Sequence, residues 1–265
     1  MSNSEVQQYL YDLQGYLVIE DALNADAVAE LNRLVNEQEL PDGDRVTRFG
    51  GAAGSIPDGP GFLEWGQPFC GLLDHPVIMP VLRFVLGDCF RLDRLYGIKM
   101  REGMPRGLLH ADYGATAPHS GAQPGERYHA RENEIAAGFA VVSWNLTDTD
   151  PEHGGFCCIP GSHKSSFKLP NAIEEAPENS PYVIIPSAPA GSVTVFTEAL
   201  THGTAAWKAR HERRTLLFKY CVSHTAWSSN RVRWPANITM TPRQEILLRE
   251  PADPYRYFPS LFDEE

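Results

Sequence analysis

A histidine and an aspartate, His110 and Asp112, lie one residue apart in the stretch GLLHADYG over residues 107–114. On a β-strand, side chains two residues apart point to the same face, so an imidazole and a carboxylate would be presented together. Both groups are ligands for divalent transition metals. About one such pair is expected by chance in a chain of this composition, although this is the only one present. The pair therefore needs an independent third donor before it indicates a metal site.

A third donor is available in His202, which follows the apolar run GSVTVF within the segment GSVTVFTEALTHGTAAW. In a fold with two facing sheets, a ligand from this distant strand can meet the first two at one mouth. Two imidazoles and one carboxylate on one face of an octahedral metal leave three positions open, as in non-haem Fe(II) oxygenases. The alternative is that His110 and His202 are unrelated, partly buried histidines, and their spacing does not decide between the two interpretations.

Arg213 opens the next apolar strand, in the segment HERRTLLFKY. Arginine has a planar fork that can bind a carboxylate through two hydrogen bonds, so it would suit the far carboxylate of a keto acid bound beside the metal. Strand alternation turns Arg214 to the opposite face, which makes it the rival candidate. The alternative is a surface arginine in a charged turn, which is the commoner location for such a run.

The elements that must position these residues change character near Phe90. After it, short strand-like runs recur, separated by turn signals such as DPEHGG and IPGSHK. Short strands without long helices between them indicate a mainly β fold with flanking helices, either a sandwich or a double-sheet barrel. Before Phe90 the patterns predict a helix over 4–14, a strand at Tyr16–Asp21 and a helix capped by Asn24. They also predict a loop over 41–61 and an apolar helix at His75–Asp88, which Pro80 would kink or divide.

The interval 113–135 shows no trustworthy strand or helix periodicity. Long loops inside compact domains usually have a function. We interpret this one as a lid that closes over the metal mouth and excludes water. No domain boundary is indicated, so residues 1–265 are predicted to form a single domain.

Composition narrows the range of partners. The net charge of −11 argues against nucleic acid and anionic membranes, although a few local arginines can still bind a small anionic substrate. Five cysteines without a Cys-x-x-Cys motif do not indicate a disulfide framework. The N-terminus lacks a signal-peptide pattern and no apolar run approaches membrane-spanning length, which predicts a cytoplasmic protein. The oligomeric state is not indicated.

Together these motifs resemble the phytanoyl-CoA dioxygenase family of Fe(II)/2-oxoglutarate oxygenases. The likeness begins at DLQGYLVIEDALNADAVAEL, continues through His110-x-Asp112 and VVSWNLTDTDPEHGGFCCIPGSHKSSF, and ends with His202-Gly203-Thr204 and Arg213. It implies a double-stranded β-helix, a jelly-roll or cupin-like barrel. It also implies that His110, Asp112 and His202 hold the iron, and that Arg213, Thr204 and Trp144 bind or line the site of 2-oxoglutarate. We extend this cosubstrate role to Lys99, on the strand that precedes the His-x-Asp pair.

Three of the residues in these motifs have structural interpretations. Trp144 is as well explained by packing in the core, and Lys99 by a solvated strand end. His163, in PGSHK, is interpreted as a structural histidine that hydrogen-bonds nearby backbone and is not a metal ligand.

The resemblance implies an enzyme that uses Fe(II), 2-oxoglutarate and O2 to hydroxylate, or otherwise oxidise, an unactivated C–H bond of a small or medium-sized metabolite, releasing succinate and CO2. Halogenases of related architecture carry a small residue in place of the carboxylate, so Asp112 favours hydroxylation, desaturation or ring formation. One alternative is a non-oxidative cupin-like isomerase or epimerase with zinc or manganese, in which Arg213 holds the substrate. Another is an inactive barrel that only binds a ligand.

Overall fold

The computed structural model describes residues 3–52, 57–112 and 128–263. Its helices are α1 (Asn3–Gln14), α2 (Ala25–Asn36), α3 (Gln67–Cys70), α4 (Met79–Leu86), α5 (Asn171–Glu174) and α6 (Pro242–Leu247). Its strands are β1 (Tyr16–Ile19), β2 (Thr47–Ala52), β3 (Phe90–Met100), β4 (His129–Arg131), β5 (Glu134–Ala136), β6 (Phe139–Asn145), β7 (Gly155–Cys158), β8 (Val193–Thr197), β9 (His202–Ala205) and β10 (Arg213–Val222). The predicted class, mainly β with flanking helices, is confirmed.

Six strands form one antiparallel sheet in the order β1-β8-β6-β10-β3-β2. A smaller sheet pairs β7 with β9, and isolated bridges extend it, joining His110 to His202 and Cys158 to Ile184. Neighbouring strands that are distant in sequence are typical of a jelly roll. The sheets remain open at their edges in the described residues, so the jelly roll is confirmed without a closed barrel.

The large sheet separates two apolar cores. Leu216, Phe218 and Tyr220 of β10 pack in the core on the helical side, whereas Leu217 packs in the core between the two sheets. Because both faces are covered, the strands read as nearly continuous apolar runs, and composition does not reveal which side chain faces which core. A charged residue inside such a strand must be held by specific partners.

Several element boundaries follow the sequence signals. The first helix ends at Gly15, whose φ of 85° favours glycine, and the side chain of Asn24 accepts a 2.9 Å hydrogen bond from the Ala27 amide. The helix predicted at His75–Asp88 begins only at Met79. Pro80 therefore lies in its first turn, where the missing N–H is harmless, and the predicted kink is wrong.

Strand β2 lies inside the predicted loop 41–61, and that prediction is wrong for its residues. Gly50 and Gly51 remove the alternation that would have identified it. It packs closely on β3: a Cβ added at Gly97 would lie 2.2 Å from ring carbons of Phe49. Only glycine fits at that position without displacing the aromatic ring.

Most of the predicted lid, residues 113–127, lies outside the described residues, so the lid stays a prediction. The end of the same interval forms the hairpin β4–β5, and the expectation of no strand is wrong there. Its turn residues, Glu132 and Asn133, have φ of 55° and 68°, as a two-residue type I′ turn requires.

No helix in the described part of the chain combines the length and apolar character needed to cross a membrane. The five cysteines are all free thiols.

Candidate metal and cosubstrate site

A cavity of about 530 Å³ lies between the two sheets. Alternation along β10 turns Arg213 and Lys219 into it, whereas Arg214 projects to the opposite face and donates to Glu212 and Asn36. Five of the seven predicted site residues line this cavity: His110, Asp112, His202, Thr204 and Arg213. Residues from widely separated segments therefore meet in one space.

The two histidines are joined through their backbones. The His110 amide donates to the carbonyl of His202, and the His202 amide donates to the carbonyl of His110, both at 2.8 Å. The ring centroids are 4.5 Å apart. The tertiary fold thus brings the two imidazoles together, and the interpretation of them as unrelated histidines does not hold.

Each imidazole is oriented by a carbonyl two residues earlier. The Nδ1 of His202 donates to Leu200 at 2.8 Å, and the Nδ1 of His110 donates to Leu108 at 3.2 Å. A carbonyl oxygen can only accept, so the proton of each neutral ring lies on Nδ1 and the lone pair on Nε2. Burial and the neighbouring His110 lower the pKa of His202 to about 3. His202 is therefore neutral near pH 7, which is the form that binds metals.

Asp112 supplies a carboxylate to the same site. Its Oδ1 lies 4.0 Å from Nε2 of His110, and its Oδ2 accepts a 2.8 Å hydrogen bond from Nζ of Lys219. Burial acts to raise the pKa of Asp112, but the charge and hydrogen bond of Lys219 outweigh it and hold the pKa well below its usual range. Asp112 is therefore ionised, with one oxygen occupied and the other facing His110.

Lys219 and Glu198 complete the site, and sequence reasoning missed both. Lys219 is buried and also forms an ion pair with Glu198. Burial raises the pKa of Glu198 to about 7. A signal existed: Lys219 interrupts the apolar run LLFKYCV, and Glu198 directly follows VTVFT. A charge inside an otherwise apolar strand indicates a buried partner.

The donors at this site have the chemistry of a metal-binding set. Across 3–52, 57–112 and 128–263, no three histidine, cysteine or acidic side chains form a ready metal cage. The free atoms nevertheless match one ligand set, because two Nε2 atoms and one carboxylate oxygen remain while the protein holds the other polar atoms. Hydrogen bonds of this kind commonly orient metal-binding histidines and carboxylates. The three residues fit a metal site with two histidine ligands and one carboxylate ligand.

Arg213 is a buried cation that no carboxylate of the described residues pairs with. Its side chain is 3% exposed, its Nη1 lies 3.5 Å from the sulfur of Met100, and its Nε has no hydrogen-bond partner within the described residues. Burial lowers the pKa of Arg213 to about 10, which still leaves it protonated at neutral pH. Thr204, on β9, lines the same cavity. The pair could receive a carboxylate.

Two predicted cosubstrate residues do not reach the cavity. Trp144 is fully buried in the helical-side core, 5.2 Å from the His75 ring, because its neighbour Ser143 takes the cavity face of β6. Lys99 alternates with cavity-facing Ile98, and its Nζ lies 3.9 Å from both Asp42 and Glu212. Trp144 packs in the core, in agreement with the alternative interpretation of this residue. The prediction that Trp144 and Lys99 contact 2-oxoglutarate is wrong, because strand alternation turns both side chains away from the cavity.

His163 lies outside the cavity. Its Nε2 donates to the backbone oxygen of Asp12 at 3.1 Å, and its ring meets Tyr128 edge-on at 4.5 Å. This contact joins the PGSHK segment to the first helix, in agreement with the structural role predicted for it.

Comparisons with known proteins place the chain among related folds. HygX from Streptomyces hygroscopicus, solved with nickel, 2-oxoglutarate and hygromycin B bound, is 21% identical with a TM-score of 0.69, over 85% of this chain and 89% of that chain. SnoK, a non-haem alpha-ketoglutarate-dependent carbocyclase from nogalamycin biosynthesis, is 15% identical with a TM-score of 0.61, over 87% of each chain. SnoN, an epimerase with the same dependence from the same biosynthesis, is 20% identical with a TM-score of 0.60, over 97% of this chain and 98% of that chain.

These identities support the fold alone. A comparison with curated proteins found no match. The pattern of the phytanoyl-CoA dioxygenase family, however, matches residues 11–215, which is most of the chain. The chain therefore belongs to the phytanoyl-CoA dioxygenase family of Fe(II)- and 2-oxoglutarate-dependent non-haem enzymes.

Proposed function

We propose that this protein is a dioxygenase that hydroxylates, or otherwise oxidises, an unactivated C–H bond of a small or medium-sized metabolite. His110, Asp112 and His202 would hold Fe(II) through the three atoms that the protein leaves free. The observation that carries the proposal is the convergence, in one cavity, of these donors with a buried arginine that has no carboxylate partner among residues 3–52, 57–112 and 128–263. Iron, 2-oxoglutarate and O2 together supply the oxidising power, with release of succinate and CO2.

Arg213 would bind the far carboxylate of 2-oxoglutarate. A bidentate pair in a buried site is strong because water does not compete for either partner. The hydroxyl of Thr204 supports the same carboxylate from the facing sheet. The ion pair with this carboxylate would offset the unfavourable burial of the Arg213 charge.

Apolar side chains form part of the cavity wall. Phe156, Phe196 and Leu217 line the cavity, and the ring of Phe196 lies 4.7 Å from that of His202. Apolar walls limit the water that reaches reactive groups. These side chains would orient the site and limit water on their side of it.

Asp112 favours oxidation over halogen transfer, because a carboxylate occupies the third donor position. Lys219 restricts it to one free oxygen. Three protein donors would leave the metal able to bind the cosubstrate and O2. Hydroxylation is the simplest outcome, and a ring closure or epimerisation would need the same donors with a differently placed substrate. The small-molecule class is supported by HygX, which was solved with hygromycin B bound.

Anaerobic visible spectroscopy tests the proposal. Weak visible absorption should appear when Fe(II) and 2-oxoglutarate are added together, but not with either alone. Asp112→Ala and His110→Ala should abolish this absorption and the release of succinate, whereas His224→Ala, an exposed histidine, should retain both. Normal absorption and turnover in either ligand variant would refute the donor assignment. A protein that retains zinc and gives no absorption would instead favour a non-oxidative metal enzyme.

A further inference from the structure

The cavity contains two further arginines besides Arg213. Arg94 lines the cavity from β3, and Arg48 lines it from the neighbouring strand β2. Each guanidinium is placed over an aromatic ring of the same cavity, Arg48 at 4.6 Å from the centroid of Tyr96 and Arg94 at 5.8 Å from that of Trp227. Rings in this position fix the plane of a guanidinium and leave its edge available for an anion.

Neither arginine has an anionic partner in the part of the chain that the structure describes. No ion pair joins Arg48 or Arg94 to a carboxylate there, and the buried Nε of Arg94 has no hydrogen-bond partner. This is not for lack of acids, because the chain contains 34 aspartates and glutamates. Arg48 is exposed, whereas Arg94 is half-buried, and a half-buried cation without a partner is unfavourable unless a ligand supplies the anion.

The neighbouring charges do not satisfy Arg94. It is directly opposite Lys219 in the β3–β10 register, and like charges in that position repel each other. Lys219 itself is already bound to Asp112 and Glu198. Arg94 therefore lies beside the proposed metal ligands as a positive charge that no carboxylate of the described residues neutralises.

Arg94 is too far from Arg213 to share its ligand. In the same register Arg213 is opposite Met100, six residues along β3 from Arg94, which corresponds to roughly 20 Å of strand. A five-carbon diacid held by Arg213 and the metal does not span that distance. An anion at Arg94 is therefore a different group from the one that Arg213 would hold.

We propose that Arg94, assisted by Arg48, binds an oxyanion of the primary substrate, a carboxylate or a phosphate. The inference rests on the proposed function, since it places the substrate beside the metal and opposite 2-oxoglutarate. Trp227 and Tyr96 border the same subsite and contact the carbon skeleton next to the anion. The substrate is then an anionic metabolite, and its charged group is anchored while a C–H bond is directed at the metal.

Calorimetric titration with two aromatic anions tests the subsite without turnover. The titrants are phenyl phosphate and phenylacetate, with neutral 2-phenylethanol for comparison, added to protein loaded with Ni(II) and 2-oxoglutarate. We expect at least one anion to bind, and 2-phenylethanol to bind more weakly. Arg94→Met should weaken anion binding by roughly 10- to 100-fold, the range for a lost hydrogen bond to a charged group, and Arg48→Met by less. The tighter of the two anions identifies the group as phosphate or carboxylate.

Controls separate this inference from the proposed function. Arg233→Met removes an exposed arginine paired with Asp58 and should leave all titrations unchanged. Arg94→Met should keep the affinity for 2-oxoglutarate, which also shows that it folds, and Arg94→Lys should recover part of the anion binding. If the protein binds the anions through Arg94 but does not bind 2-oxoglutarate, the proposed function is wrong and the anion subsite stands.

Three results would overturn the subsite. They are wild-type protein that binds neither anion, Arg94→Met that binds both anions as tightly as wild type, and Arg94→Met that loses 2-oxoglutarate instead of the anions. In the last case, Arg94 belongs to the cosubstrate site.

Discussion

Replacing Arg213 by methionine should stabilise the free protein while destroying cosubstrate binding. Burial lowers the pKa of Arg213 from 12.5 to about 10, so the folded protein holds this proton less tightly than the unfolded chain. At neutral pH, where the group is protonated in both states, the difference opposes folding by roughly 3 kcal/mol. Methionine is flexible and apolar, and would pack beside Met100. We expect a gain of about 1–3 kcal/mol, which is roughly 2–10 °C in Tm for a chain of this size.

The same substitution should remove the anchor of 2-oxoglutarate. Loss of one partner of a desolvated charge pair costs about 2–5 kcal/mol, or roughly 30- to 5000-fold in affinity. Thermal unfolding is measured with Ni(II) in place of iron, with and without 2-oxoglutarate. Wild type should show a rise in Tm on addition of 2-oxoglutarate, because ligand binding stabilises the folded state. Arg213→Met should start from a higher Tm and show no such rise.

Arg214→Met is the matched control, because it removes the same charge from the adjacent position on the opposite face. Arg214 is already paired with Glu212 and Asn36, so its loss should lower the Tm slightly and leave the 2-oxoglutarate effect intact. A lower starting Tm for Arg213→Met with a normal response to 2-oxoglutarate would refute the reasoning. The reasoning would also be refuted if Arg214→Met, and not Arg213→Met, abolished the response of the Tm to 2-oxoglutarate.

Three further predictions concern stability. Lys219→Met leaves two buried carboxylates without their cation and should lower the free energy of unfolding by about 3–5 kcal/mol in urea titrations; an unchanged midpoint would contradict the buried pairing. Gly97→Ala should cost about 1–3 kcal/mol by forcing its new methyl into Phe49, whereas Gly103→Ala, with nothing within 4 Å but a φ of 82°, should show backbone strain only. Burial lowers the pKa of His163 to about 4, so His163 should contribute a loss of stability of up to about 3 kcal/mol as the pH drops from 6.5 to 4, where only the unfolded chain takes up its proton; His163→Gln should make that part of the profile shallower, and an identical profile would exclude this contribution.

Several features of this protein could be predicted from local sequence. The asparagine cap of α2 and the glycine end of α1 depend only on neighbouring residues, and both were found where the patterns indicated. The choice of Arg213 over Arg214 depended on strand alternation, and the structure turns Arg213 into the cavity. The His110-x-Asp112 pair likewise shares a cavity because its two members are close in sequence.

Other features were beyond local sequence. All seven residues of β6 are buried, so composition could not show that Ser143 faces the cavity and Trp144 faces the helices. The same ambiguity misplaced Lys99 on β3. Where both faces of a sheet are covered, only strand pairing decides the phase of the side chains.

The sequence by itself determined the chemical types at the site, namely two imidazoles, a carboxylate and an arginine, because residue identity and spacing are local properties. The tertiary structure decided which of them meet. The backbone bridge between His110 and His202, and the ion pairs of Lys219 with Asp112 and Glu198, join residues far apart in the chain. Such contacts depend on sheet topology and register, and these are settled by the packing of the whole domain.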